Sequence, residues 1–367
     1  MSEERTKRVF VAATSQDQGK TTVSLGLVTA LRDLCGPVGF IKPVGQRCVK
    51  VDGVTVDEDV ALMRAIFHWP AALADMSPVT VDRRFTREYI RQPRQAEVFR
   101  RITESFGRMS AGMRTVVIEG TGHAGVGSCF DASNADVAHL LEAKVIIVSG
   151  GGIGKPIDEV MLNKSLFNAR GVELLGVILN KVLPDKLPEI KEVVSAGLGR
   201  LGIDLLGCIP HEPLLSNPTV FQVMEGIGGE MINGESGMHN IIESVIVGAM
   251  TAQRALEYIT PHCLLITPGD RDDLILAAVT SFTGAADANA ALAGIVLTGG
   301  IPPTENILKV IRKTQIPVLV TQGDSYTVAS AVNDLKVKTQ PQDQRKIDAI
   351  PRLIRQNVDV ERIVERM

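Results

Sequence analysis

Ala13-Thr14-Ser15-Gln16-Asp17-Gln18-Gly19-Lys20-Thr21-Thr22 is the stretch that decides the fold. The apolar run Arg8–Ala13 precedes it. A segment with helical spacing follows, carrying Val23, Leu25, Leu27, Val28 and Leu31. A loop that wraps phosphates needs backbone N–H groups turned inward, and Gly19 lets the backbone come close. The amino end of the next helix adds partial positive charge at the same point. Lys20 is placed to neutralise the outer phosphates and the Thr21 hydroxyl to bind Mg²⁺. The usual pattern has a further Gly at the place held here by Thr14. Gly-Lys-Thr alone is a weak signal, whereas strand, loop, Gly-Lys-Thr-Thr and helix in this order make a strong one.

Working outward, short Val- and Ile-rich runs recur at Val38–Lys42, Thr115–Glu119, Lys144–Ser149, Leu174–Asn180 and Leu205–Ile209. Helical spacing lies between them at Thr21–Leu34, Arg94–Met109, Ala135–Leu141, Pro156–Arg170 and Leu187–Gly199. Strands without polar alternation, interleaved with helices, predict an α/β, doubly wound, mostly parallel sheet covered on both faces. After Ile209-Pro210 the chain turns rich in Pro, Asn and Gly, and a second α/β set begins. Its strands are expected at Cys263–Thr267, Gly294–Thr298 and Pro317–Thr321, after an apolar stretch at Ile241–Met250. Its helices are expected at Asp272–Phe282, Glu305–Lys313 and Thr327–Leu335. The expected division is a nucleotide-binding domain at 1–212, a smaller α/β domain at 213–339, and a polar helix or tail at 340–367, where Ile354, Val358 and Ile363 suggest one amphipathic face.

Composition narrows the function. The net charge of −3 over 367 residues argues against general affinity for nucleic acid or anionic membrane. At 4% aromatic residues, a stacking platform for single strands is not expected. No apolar stretch is long enough for a membrane span, and Val9–Ala13 is too short for the core of a signal peptide, so a cytoplasmic protein is expected. Five scattered cysteines without a Cys-x-x-Cys pair read as reduced thiols, and the six histidines do not fall at zinc-ligand spacings.

Further segments carry chemistry. In Phe40-Ile41-Lys42-Pro43-Val44 a lysine ends a strand, as a charge clamp on a phosphoryl group or as a solvated residue before a turn. In Asp57-Glu58-Asp59-Val60-Ala61-Leu62, Asp57 reads equally as a helix cap. Val116-Val117-Ile118-Glu119-Gly120-Thr121-Gly122 ends an apolar strand in an acid beside the expected phosphate loop, where a Mg²⁺ ligand belongs. Ser149-Gly150-Gly151-Gly152-Ile153-Gly154-Lys155 looks like a second phosphate loop but lacks Ser or Thr after the Lys, so a glycine-rich turn is preferred.

These motifs resemble dethiobiotin synthetase and the related ATP-dependent synthases of cobyrinic acid, which belong to the P-loop superfamily. The resemblance implies a loop of Thr14, Ser15, Gln16, Asp17, Gln18, Gly19, Lys20, Thr21 and Thr22 around the phosphates of ATP. It implies Lys42 on the transferred phosphate and substrate, with Thr21, Asp59 and Glu119 on Mg²⁺. Asn180, in Val177-Ile178-Leu179-Asn180-Lys181, then reads the adenine base, a structural turn Asn being the alternative. Cys208-Ile209-Pro210-His211 is like the Ile-Pro that closes such a domain.

Over residues 8 to 335 the chain also resembles proteins that join this domain to a DRTGG domain, the pair found at the amino-terminal part of long bacterial phosphate acetyltransferases. Pro218-Thr219-Val220, Ile246–Met250, Thr267-Pro268-Gly269-Asp270-Arg271-Asp272-Asp273 and Leu297-Thr298-Gly299-Gly300 carry that likeness. Arg271 and the glycine pair read either as a small-anion site or as a capped helix start and a tight turn. Only 32 residues follow Leu335, so the acetyltransferase catalytic domain is not expected and acetyl transfer is not predicted. No cysteine lies in a glycine-rich nucleophile turn, so a glutaminase site is not expected either. Gln16-Asp17-Gln18 and His123-Ala124-Gly125-Val126-Gly127 depart from dethiobiotin synthetase, which weakens biotin synthesis in particular.

The expected function is Mg²⁺- and ATP-dependent activation of a small carboxylate or carbamate by phosphoryl transfer, with Lys20 and Lys42 as the catalytic charges. The alternative is a nucleotide-binding regulatory protein that signals through its DRTGG domain without synthesis. The resemblance also implies a homodimer.

Overall fold

Lys7–Ala13 runs near the middle of a six-stranded sheet in the computed structural model, which describes residues 6–282 and 292–367. Residues 1–5 of the charged amino end lie outside the described residues. Across the sheet the order is Leu205–Pro210, Leu174–Val182, Lys144–Gly150, Lys7–Ala13, Thr115–Glu119 and Val38–Ile41, with every pair parallel. Helices cover both faces, which is why Val9–Ala13 and Val145–Val148 are wholly buried and show no polar alternation.

Register sets the site. Val11 pairs with Glu119 and Ala13 with Val148 on the two flanking strands. The carboxyl ends that carry the Thr14–Thr22 turn, the acid and the Gly150–Gly152 turn therefore share one edge of the sheet, where open α/β folds place ligands.

The chain divides into two compact units: the segment up to His211 together with Thr339–Met367, and Glu212–Lys338. The terminal segment, set apart in the sequence reading, is thus part of the first unit. It forms two helices, Gln344–Asn357 and Val360–Arg366. Ile347, Ile350 and Ile354 lie on one buried face, and Ile354 enters a notch in helix Lys20–Cys35 that exists because residue 26 is Gly. Each such isoleucine contributes about 1.5–3 kcal/mol on burial. Val358 bridges to Gly207 on the edge strand, and Lys7 Nζ donates to Val364 O at 2.8 Å. Arg362 Nη2 meets Asp204 at 2.6 Å, and Arg366 pairs with the same carboxylate.

The antiparallel hairpin Cys48–Val51 with Val54–Asp57 and the helix Arg83–Arg91 were not expected. The hairpin turns on Asp52 and Gly53, with φ of 49° and 78°, the left-handed pair favoured in two-residue hairpin loops.

The second unit has a five-stranded sheet in the order Glu230–Asn233, Val318–Val320, Gly294–Thr298, Cys263–Pro268 and Ser244–Val247. The first pair is antiparallel and the others parallel. Helices Asp272–Phe282, Glu305–Ile311 and Ser325–Asn333 fall close to the expected places. Its core has two faces, one around Leu265, Leu274 and Ile311, the other around Val223, Leu264 and Val328. No helix among the described residues is long and apolar enough to cross a membrane.

Candidate nucleotide site

Gly19, at φ 83°, is the left-handed residue that starts the 16-residue helix Lys20–Cys35. No side chain caps this helix, and its first turn holds no acid. A helix start without a capping side chain or an acid keeps its partial positive charge, the usual electrostatics of an anion-binding helix start.

The turn is braced from within and from the neighbouring strand ends. Gln18 Nε2 donates to Ser15 Oγ at 2.7 Å, and the Thr14 and Ser149 hydroxyls lie 3.2 Å apart. Asn180 Nδ2 donates to Gln18 O at 2.9 Å, and Lys181 Nζ donates to Asp17 O at 2.9 Å. Asp17 itself is held at φ 61°, with Arg47 3.7 Å from its carboxylate. Gly150 and Gly151 serve close approach: a Cβ on Gly150 would stand 2.8 Å from Gln18 Oε1, and one on Gly151 3.0 Å from Val182 Cα. Lys155 is exposed, with its Nζ 3.7 Å from Glu159 one turn further along the same helix.

Beside the turn lies a buried charge cluster. Lys42, at the end of strand Val38–Ile41, is 5% exposed. Its Nζ pairs with Asp59, stands 3.0 Å from Asp57 Oδ1 and 3.2 Å from Glu119 Oε1. Thr21 Oγ1 reaches the same Glu119 oxygen at 3.3 Å. Burial alone would lower the Lys42 pKa, but Asp59, Glu119 and Asp57 outweigh it and hold the ammonium well above its ordinary value. Burial pushes the Glu119 carboxyl up, with Lys42 working against that and Asp59 adding to it.

The two aspartates divide the work. Asp57 caps helix Glu58–Phe67 by accepting from Asp59 N at 3.0 Å, and it also accepts from Gln46 N and Arg47 N. Asp59, the second residue of the helix, turns its carboxylate to Lys42. Capping and the charge cluster thus both claim Asp57.

Thr21, Lys42, Asp59 and Glu119 are therefore brought together, next to the turn of Thr14, Ser15, Gln16, Asp17, Gln18, Gly19 and Lys20. Lys20 lies near enough to favour the Glu119 charge, and Thr22 is half-buried in the first helical turn. Asn180 stands apart from the charge cluster, 5% exposed, with an amide N–H given to the loop. The sequence reading did not single out Lys181, Arg47 or Asn134. The last shapes the segment after Glu119, donating to Thr121 O and His123 O and accepting from Thr121 N.

By type the donors, a hydroxyl and carboxylates, are ones a hard divalent cation takes, and the Ser24 hydroxyl adds a hydrogen bond to Glu119. Three carboxylates facing one ammonium also leave negative charge in excess. Their geometry closes on Lys42 Nζ, however, and among the described residues no group of three or more His, Cys, Asp or Glu is arranged to hold a metal.

In the second unit the singled-out polar groups are bonded within the unit. Arg271 spans Asp273, Gly248 O and Met250 O, and Gly299 N and Gly300 N donate to Gly323 O and Thr321 O. The Thr298 and Ser325 hydroxyls lie 2.8 Å apart.

Comparison with known proteins agrees with these features. A family described as AAA domain matches residues 7–219, and one described as DRTGG domain matches residues 222–335. Phosphate acetyltransferase of Nitratidesulfovibrio vulgaris is 26% identical over 369 residues, covering 98% of this chain and 51% of that protein. Phosphate acetyltransferase of Pseudomonas putida is 30% identical over 373 residues, covering 95% and 50%. The chain thus spans about half the length of these curated relatives. Among solved structures, the MinD cell division protein of Aquifex aeolicus is similar at 15% identity and a TM-score of 0.35, over 57% of this chain and 84% of that one. With a phosphate-loop turn at the head of a parallel sheet and a match over more than half its length, the chain belongs to the AAA-domain family of P-loop proteins and carries a DRTGG domain behind that domain.

Proposed function

We propose that the first unit binds ATP with Mg²⁺ at the Thr14–Thr22 turn and transfers the γ-phosphoryl group to a small carboxylate or carbamate. The observation that carries this reading is the convergence of Thr21, Lys42, Asp59 and Glu119 beside the left-handed Gly19. The turn and the helix start receive the phosphates through backbone N–H groups, and Lys20 neutralises the outer ones. Thr21, Asp59 and Glu119 would hold the cation, which when bound offsets phosphate charge. Lys42 supplies a positive charge for the equatorial oxygens of the group in flight and for the acceptor carboxylate. Asn180 braces the loop through one N–H and keeps the rest of its carboxamide for the adenine edge. The partners proposed are a small molecule and a second copy of the chain, in a cytoplasmic setting, and the near-balanced charge argues against nucleic acid and anionic membrane.

A second reading is nucleotide binding that regulates, through the DRTGG domain, without synthesis. It is supported by the enclosure of Lys42 among carboxylates and by the names of the relatives, which are transferases. Isothermal titration with Mg-ATP, followed by an ADP-release assay with and without small carboxylates, separates the two. ADP release that depends on a carboxylate supports the first reading. Binding without ADP release under any acceptor supports the second. No heat of binding, with Lys20→Ala indistinguishable from wild type, removes both.

A further inference from the structure

An open sheet edge is a pairing surface, and natural proteins close theirs. Three of the four outer strands of the two large sheets are closed among the described residues. Leu205–Pro210 is bridged by Val358 at Gly207, and Asp359 N donates to Leu206 O at 2.8 Å. Val38–Ile41 is buried along its length, with Val38 O taken by Trp69 Nε1 at 2.7 Å. Glu230–Asn233 opens on an exposed acid and carries a register shift between Met231 and Asn233. The fourth, Ser244–Val247 in the second unit, has no such device. It holds no charge, no Pro and no bulge, and no strand among the described residues pairs with its outer side.

Gly248 N donates to Ile266 O on the inner neighbour. By the alternation of a strand, Ile246 also turns its amide and carbonyl inward, and Val245 and Val247 turn theirs outward. The side chains alternate as well. Ile246 packs on the core around Leu265 and Leu274, whereas Val245 and Val247 lie on the other face, each 43% exposed. Met250, also exposed, comes just beyond, and Arg271 fixes that segment by donating to Gly248 O and Met250 O.

We propose that Ser244–Val247 pairs antiparallel with the same strand of a second copy, across a two-fold axis at Ile246, and joins the two sheets edge to edge. This names the surface for the second copy in the proposed function and rests on that part of it, not on the nucleotide reading. The strand is self-complementary in this register. Val245 exchanges N–H and C=O with the partner's Val247, and Val247 with the partner's Val245, so the outward amides of both are satisfied. Val247 O already accepts from Ala249 N and keeps a second lone pair for the new bond. Glu243 comes opposite the partner's Ala249, so no like charges meet, and the valines of the two copies pack on one face. A second copy fits better than a foreign strand, because the two-fold uses the same patch twice and leaves neither edge open. So short an interface is at the small end, and a weak dimer is expected, with Kd of about 10 µM or above.

The experiment is sedimentation velocity of the full chain over a concentration series up to about 1 mM, with Val247→Pro and Val245→Lys as variants. Proline at 247 removes only an outward N–H, and lysine at 245 is a usual guard of an edge strand, so both are expected to keep the fold by circular dichroism. Wild type is expected to dimerise as concentration rises, and each variant to raise Kd about tenfold or more. Wild type that dimerises with the variants unchanged overturns this surface and leaves the second copy standing. Wild type that stays monomeric throughout removes both. Should the variants fail to fold, hydrogen exchange of wild type decides. The Val245 and Val247 amides are expected to exchange about tenfold more slowly in the dimer than in dilute monomer, and equal exchange in a dimeric sample overturns the proposal. A fluorescent ATP analogue titrated into wild type reads the nucleotide site separately: no binding there sinks the nucleotide reading and leaves this surface.

Discussion

Asn180 Nδ2 occupies the space in which a side chain on Gly19 would lie, and from there it donates to Gln18 O. The loop is therefore shaped from two sides, by a left-handed residue without a Cβ and by a carboxamide pressed against it. Gly19→Ala would meet both the collision and the positive φ, and is expected to cost about 1–3 kcal/mol of stability and to abolish binding of a fluorescent ATP analogue. Adding Asn180→Ala removes the collision but not the backbone cost, so thermal unfolding of the double variant should recover in part.

Lys181 holds Asp17 O through a single hydrogen bond. Lys181→Met leaves the fold in place and loosens the loop by about 1 kcal/mol, the usual net worth of such a bond. ATP affinity, read by calorimetry, should fall roughly five- to tenfold. An unchanged affinity would show that the loop keeps its shape without this anchor.

Glu119 carries a pH signature. Its carboxyl is raised above 4.5 by burial, so the folded protein holds that proton more readily than the unfolded chain. Its contribution to stability therefore falls as pH rises from 4.5 through the folded value. Glu119→Gln does not titrate there, and the melting temperature of the variant minus that of wild type should grow between pH 4.5 and pH 7.5. A difference that shrinks over that range contradicts the assignment. Lys42, raised above 10.5, acts on the alkaline side: its stabilisation is complete below 10.5 and is lost as pH climbs through its folded value.

The terminal helices depend on residue 26. A larger side chain there collides with Ile354. Gly26→Leu is expected to cost about 1–3 kcal/mol and to expose the segment from Thr339 onward to limited proteolysis. Ile354→Ala, which empties the notch instead of overfilling it, should cost about 2–5 kcal/mol in chemical denaturation.

Gly19-Lys20-Thr21, Glu119 at a strand end and the buried parallel strands were legible because each rests on local pattern: a glycine where φ is positive, an acid where an apolar run stops, period-free hydrophobic runs. The Lys42 cluster was legible only in part. Asp59 and Glu119 were named, but that Asp57 caps a helix and faces Nζ as well depends on three segments meeting, which spacing along the chain does not encode. The Asp52-Gly53 hairpin carried its signal and was passed over, its flanking strands being short and largely exposed. The docking of residues 339–367 was out of reach, since it needs a glycine in a distant helix to read as a notch. Asn180 illustrates the opposite case: the residue was picked out, and the structure gives one of its N–H groups to the loop.

The first unit is discontinuous in sequence, and that bears on fragmentation. A single backbone cut anywhere between residues 212 and 338 would divide the chain without separating the pieces of this unit. Its last 29 residues would stay seated by Ile354 in the Gly26 recess and by the two arginines on Asp204. The nucleotide-binding half is in this respect a natural candidate for reassembly from two separately expressed polypeptides.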